Sequence, residues 1–249
     1  MARRPRPTNL PAPYLQAIRL RDDALPLPAH YPFDLPWLDA DFALTFDSPV
    51  TVLMGENGTG KSTLVEAVAA LAGFSVAGGG AWAGDPADHA DAHDPRALAA
   101  RLRGAWLPKV GRGWFLRAGS FETVAAMIDG GHLSVSHGEG FLGLIADRMQ
   151  EQGIYILDEP EAALSPRRQA ELLAFLAEIQ QSASAQVIMA THSPMLMAVP
   201  GAALWRLTHR GLSRVDYRDT DHFRLWQTFT VDPDDFVSRA LAGDIDSLV

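Results

Sequence analysis

The chain of 249 residues contains no cysteine. Disulfides, thiolate metal sites and a cysteine nucleophile are therefore excluded, and the composition suits a reducing, cytoplasmic setting. No run of about eighteen apolar residues occurs, so no segment reads as a membrane span. The start, MARRPRPTNLPAP, is basic and proline-rich but lacks the apolar centre of a secretory signal, and residues 1–13 read as a flexible tail. Internal repeats and heptad runs are also missing, which excludes solenoids and long coiled coils. A net charge of -9 argues against a wholly basic nucleic-acid coat while leaving room for a local basic face.

What remains is the composition of an ordinary globule, 47% apolar and 20% charged, long enough to fold without staples. LQAIRL and DFALTF read as strands, PVTVLM as a buried strand, and the residues after Gly60 as a helix reaching Ala72. Residues 77–94, rich in glycine, alanine and aspartate, read as an insertion. Asp94-Pro95 reads as an N-cap and first turn that opens a helix RALAARLRG. GWFLRA is a strand, EGFLGLIADRMQEQG a helix, IYILD a buried strand, SPRRQAELLAFLAEIQQ a long helix and QVIMAT another buried strand. Strands alternating with helices predict an α/β domain over 14–249, a mainly parallel sheet flanked by helices.

Gly55-Glu56-Asn57-Gly58-Thr59-Gly60-Lys61-Ser62 fits G-x-x-x-x-G-K-[ST] without a mismatch, and Thr63 follows it into the helix. Glycines let backbone N–H groups turn inward around a phosphate, and the helix adds its positive end. Lys61 is expected to reach the β- and γ-phosphates of a nucleotide, and the Ser62 hydroxyl to ligate Mg²⁺. Asp158 and Glu159 follow IYIL, at the carboxyl end of a strand, where open α/β sheets bind ligands. Asp158 would complete the magnesium shell and Glu159 would act as general base on the attacking water. No N-K-x-D guanine signature occurs, so ATP is the expected nucleotide.

Two further pieces follow in order. VSHGEG places Ser136 22 residues ahead of Asp158, and THSP places His192 34 residues after it. Phosphate loop, SHGE, LDEPEAALS and histidine together resemble the ABC-class P-loop ATPases, over roughly residues 50–200. The closer resemblance is to the soluble branch with SMC-type and RecF-like proteins and small ATPases without a coiled coil. The family's LSxGE element maps onto Val135 to Glu139, and the resemblance implies that Ser136, Gly138 and Glu139 meet a nucleotide held by a second copy. It also implies catalytic roles for Lys61, Glu159 and His192, with ATP and Mg²⁺ as cofactors and an ATP-bridged homodimer as the working state. The family's D-loop maps onto Ala162 to Ser165, where Ser165 stands in place of the usual aspartate.

Only 19 residues separate Arg117 from Ser136, room for one short helix, FETVAAMID. Transporter ATPases place there the helical subdomain that docks on membrane subunits, and SMC-type proteins a coiled coil. A reduced helical lobe is therefore expected, and a transporter partner is not. No glutamine occurs between Gln16 and Gln150, so the family's Q-loop role falls to another residue, Arg117 or Glu122. That gap keeps a slowly hydrolysing regulatory switch as an alternative, beside a transporter subunit.

Six basic residues between Pro95 and Phe121 (Arg96, Arg101, Arg103, Lys109, Arg112, Arg117), without an acid and interleaved with Trp106, Trp114 and Phe115, fit either a nucleic-acid face or a solvated helix face. His89, Asp91 and His93 alternate in the insertion, but without a rigid frame they do not make a metal site. Tyr31 stands where transporter ATPases keep an aromatic that stacks on adenine.

Overall fold

A computed structural model describes residues 10–76, 95–117, 142–143, 145–146, 149 and 151–249. The insertion at 77–94 and Glu122, Ser136, Gly138 and Glu139 lie outside the described residues, as does much of the helix expected at EGFLGLIADRMQEQG.

Three strands with every residue buried form the centre: β3 (Val50–Met54), β6 (Ile154–Asp158) and β7 (Gln186–Ala190). Such continuous apolar runs belong to parallel strands covered on both faces. With β5 (Gly113–Arg117), β8 (Ala203–Thr208) and β9 (Gly211–Arg214) they make a six-stranded sheet in the order β5-β6-β7-β3-β8-β9. All pairings are parallel except the β8–β9 hairpin. A second, antiparallel sheet has the order β2-β1-β4, from β2 (Ala43–Thr45), β1 (Leu15–Leu20) and β4 (Leu102–Trp106).

Strand alternation divides the interior. Leu53, Ile156 and Ile188 face helix α1 (Lys61–Ala72) and the antiparallel sheet, packing with Leu64, Val68, Ile18 and Leu44. Their neighbours Val52, Leu157 and Met189 point the other way, onto Leu172, Leu176 and Ile179 of a helix spanning Pro166–Ser182. The helix that follows the glycine loop therefore lies between two sheets. Burying each large aliphatic side chain of β6 contributes about 1.5–3 kcal/mol, so the strand that carries Asp158 is costly to displace.

A buried glutamine joins the sheets. Gln186 Oε1 accepts from the backbone N–H of Tyr14 and of Leu15 (2.9 and 2.8 Å), and Nε2 donates to the Leu15 carbonyl (2.8 Å). Ala12, within the segment read as a tail, is buried and donates its N–H to the Ala183 carbonyl (2.9 Å).

The helix expected at RALAARLRG is cut short. Helix α2 (Pro95–Arg101) passes directly into β4, because Leu102 and Gly104 pair with Leu20 and Ile18 of β1. A Cβ on Gly104 would lie 2.6 Å from Nε1 of the Trp106 indole on the same strand, so glycine leaves room for that ring. Tertiary pairing overrides a locally helical sequence. The helix Pro166–Ser182 is α3; Ser165 caps it by accepting from the Arg168 N–H. A single turn, α4 (Pro194–Met197), follows β7. Beyond the β8–β9 hairpin, where no element is assigned from sequence, come α5 (Asp221–Val231) and α6 (Pro233–Leu241).

Candidate functional site

The loops leaving the carboxyl ends of β3, β6 and β7 meet at one edge of the parallel sheet, because these strands are neighbours there. The first holds Gly55 to Thr63. Gly55 passes so close to β8 that a Cβ would sit 2.4 Å from the Leu207 carbonyl oxygen. Gly60, at φ 85°, lies in the left-handed region, and its Cβ would meet Leu35 at 2.8 Å. The indole of Trp37 donates to the Thr59 carbonyl (2.8 Å), and Thr59 Oγ1 donates to the Glu56 carbonyl (2.9 Å). No side chain caps α1 and its first turn holds no acid, so its N-terminal N–H groups keep their affinity for an anion.

Lys61 lies across this loop, donating from Nζ to the carbonyls of Gly55 (2.8 Å) and Glu56 (2.9 Å). Burial pushes its pKa below the ordinary lysine value, while Glu159, Glu56 and Asp158 pull it back up. A phosphate placed in the loop would be a better acceptor than two neutral carbonyls.

Ser62 Oγ donates to Asp158 Oδ1 at 3.1 Å, and Asp158 Oδ2 accepts from Arg117 Nε at 2.9 Å. Arg117 also pairs with Glu66 on α1. Burial raises the Asp158 pKa, against the opposing pull of Arg117 and of the Ser62 hydrogen bond. A hydroxyl and a carboxylate are hard oxygen donors. They suit a Mg²⁺ ion that takes its other ligands from phosphate and water.

Glu159 follows at φ 49°, ψ 53°, a left-handed conformation that costs a non-glycine residue about 1–2 kcal/mol. Its N–H donates to the Ala190 carbonyl (2.9 Å), which anchors the bend to β7, and its side chain is 44% exposed. Strain of this kind, held by surrounding packing, clusters at functional positions. His192 Nε2 is 3.6 Å from Glu159 Oε1, buried, and without a hydrogen-bond partner among the described residues.

Two residues of this site escaped the sequence reading. Glu161 is half-buried in LDEPEAALS; Oε1 accepts from the His192 N–H (2.6 Å) and Oε2 from the Thr191 hydroxyl (2.7 Å). Burial raises its pKa, and those two hydrogen bonds oppose the rise. It fixes the backbone from which the His192 ring projects. The other is His222 in the first turn of α5, whose Nε2 lies 3.3 Å from His192 Nδ1. Burial lowers the pKa of both imidazoles, so both are neutral at neutral pH. Adjacency to the Asp158–Glu159 pair could have flagged Glu161. Nothing local marks His222.

Tyr31 reaches the far end of the loop, its hydroxyl 2.7 Å from Thr63 Oγ1. Five of the six basic residues of 95–121 go separate ways. Arg117 enters the site, Arg112 pairs with Glu151 and Arg103 with Asp22, Arg101 donates to the Ala24 carbonyl, and Lys109 lies over Trp106.

Two family models match the chain. One, described as "AAA domain, putative AbiEii toxin, Type IV TA system", covers residues 132–198, and another, "AAA domain", covers 35–89. The thiamine import ATP-binding protein ThiQ of Cereibacter sphaeroides is 36% identical over 77 residues. That stretch is 31% of this chain and 31% of ThiQ, so the match spans about a third of the relative. Among solved structures, the SMC head domain from Thermotoga maritima matches at 12% identity and a TM-score of 0.45, over 82% of this chain and 98% of that one. The cbiO1 protein of Clostridium perfringens, part of the ABC transporter complex cbiONQ, matches at 14% identity and a TM-score of 0.45, over 80% and 91%. No helix among the described residues is long and apolar enough to cross a membrane.

Proposed function

We propose that this chain, which carries an AAA/ABC-type P-loop ATPase domain, binds ATP with Mg²⁺ and hydrolyses it between two copies of itself. The observation that carries the reading is the 3.1 Å contact of Ser62 with Asp158, beside Lys61 and the strained Glu159. Ser62 and Asp158 would hold Mg²⁺, which supplies positive charge to the phosphate oxygens. Lys61 exchanges its two backbone acceptors for β- and γ-phosphate oxygens. Glu159 has the exposure to meet a water molecule and take its proton as the water oxygen bonds to the γ-phosphorus and the bond from that phosphorus to the β–γ bridging oxygen breaks, releasing ADP. Phosphate release from ATP by the purified chain, with and without Mg²⁺, tests the reading. Turnover that depends on Mg²⁺ is expected. Tight ATP binding with no turnover would favour the regulatory switch instead.

His192 fits the γ-phosphate contact only in one tautomer. If Nε2 is to donate to a phosphate oxygen, Nδ1 must accept, and His222 Nε2–H is the donor that makes it do so. His222→Ala is expected to lower kcat about tenfold, on the order of 1.4 kcal/mol, with the Kd for ATP unchanged. His222→Gln, which keeps an N–H donor, should restore most of the rate. Equal losses in both variants would show that packing alone is at stake.

Arg117 holds Asp158 but cannot take over the missing glutamine's role as a metal ligand, because a guanidinium has no acceptor. A guanidinium against Asp158 repels a divalent ion, and Arg117→Gln removes that charge while keeping hydrogen-bonding capacity. The Mg²⁺ concentration for half-maximal turnover should fall about fivefold, on the order of 1 kcal/mol after screening. A rise in that concentration would mean that Arg117 assists the metal site.

Ser136, Gly138 and Glu139 are proposed to complete the site of a second copy. The SMC and RecF-like branch supports a role in nucleic-acid maintenance, and basic residues 96–117 supply its candidate contacts. The ThiQ match favours a second reading, an ATP-binding subunit of a transporter, against which stand the 19 residues between Arg117 and Ser136. Stimulation of turnover by DNA or RNA, but not by a membrane fraction, separates the two.

A further inference from the structure

Helices α5 and α6 bury none of their residues, yet they are not polar helices. Leu225, Trp226, Phe229 and Phe236 line an open groove of about 280 Å³. Its aromatic rings meet edge to face, Trp226 with Phe229 and Phe229 with Phe236. Trp226 is 58% exposed, and Val237 and Leu241 extend the apolar surface. Tryptophan and phenylalanine clustered in an open groove have the character of binding hot spots.

The charge around this groove is one-sided. Residues 219–249 hold seven aspartates, two arginines and no lysine, a net charge of -5 out of the chain's -9. Both arginines are engaged: Arg224 faces Asp219 at 3.6 Å, and Arg239 binds Asp235, Asp244 and the Ser247 carbonyl. Asp232 caps α6, and Asp234 and Asp235 occupy its first turn. An aromatic groove in so acidic a segment repels nucleic acid, anionic lipid and a second copy of the same face. It suits a partner with the opposite pattern, because apolar side chains fill the groove while lysines or arginines meet the aspartates of the segment and the Trp226 ring.

We infer that the α5–α6 face is the docking surface for a basic amphipathic helix of another protein. The inference rests on surface chemistry alone and stands or falls apart from ATP hydrolysis. The full chain, without nucleotide, is titrated in a calorimeter with a synthetic leucine–lysine amphipathic helix and, separately, with its leucine–glutamate counterpart. Saturable one-to-one binding of the basic peptide alone is expected, weakened about tenfold by Trp226→Ala and severalfold by Asp234→Asn or by added salt. Trp226 is exposed, so its removal leaves the fold intact, and thermal melting checks this. Equal binding of both peptides, no binding of either, or an affinity indifferent to Trp226→Ala would overturn the proposal. So would self-association of the wild type that Trp226→Ala abolishes, because the occupant would then be a second copy.

Discussion

Replacing Lys61 with alanine is expected to weaken ATP binding by about a hundredfold or more, roughly 3 kcal/mol for a charged contact to phosphate. The same change should leave the free protein as stable as before, or slightly more so. In the nucleotide-free chain the ammonium is buried against neutral carbonyls, and burial already lowers its pKa. Its removal relieves that cost. Thermal melting separates the effects: the melting temperature of the free variant should hold or rise, and the upward shift given by ATP in the wild type should vanish. An ATP-induced shift of wild-type size in Lys61→Ala would overturn the assignment of this loop as the phosphate site.

Glu159→Gln should have the opposite signature. The amide keeps the shape of the side chain but cannot accept a proton, so kcat should fall by about 10²–10⁴ while ATP stays bound. If two copies share each nucleotide, this variant should collect as an ATP-loaded dimer, because hydrolysis is what dissolves the bridge. Ser136→Arg, combined with Glu159→Gln, should leave ATP affinity nearly intact and return the protein to monomer. Light scattering with ATP reads the outcome. A dimer that persists in the double variant, or full turnover in Ser136→Arg alone, would remove the shared-site mechanism.

Much of the sheet edge that carries this chemistry was legible before any coordinates. Val50–Met54, Ile154–Asp158 and Gln186–Ala190 are short buried runs, each followed directly by polar residues with chemical capacity. Such a pattern is local, and periodicity reads local patterns well. Strand β4 was not legible, because Leu102 to Trp106 become a strand only by pairing with β1, some eighty residues away in sequence. Glu161 lies inside LDEPEAALS, but its partners Thr191 and His192 come from another strand end. His222 is further removed still: its role depends on one contact with a ring 30 residues earlier in the chain. Contacts between distant segments leave no periodic trace.

Helix α5 has a geometry with thermodynamic weight. His222, Trp226 and Phe229 stand at positions i, i+4 and i+7, a single stripe along one side of the helix. One end of that stripe touches His192 and the other forms the floor of the acidic groove. Histidine and indole are one helical turn apart, about 6 Å of rise. A rigid rod so short cannot tilt at one end without tilting at the other. If the groove and the loop bind as proposed, a ligand that shifts α5 alters the free energy of nucleotide at the loop, and nucleotide alters the ligand's affinity by the same factor. The two proposed sites would then form a thermodynamic box with equal opposite edges, whichever of them a cell loads first.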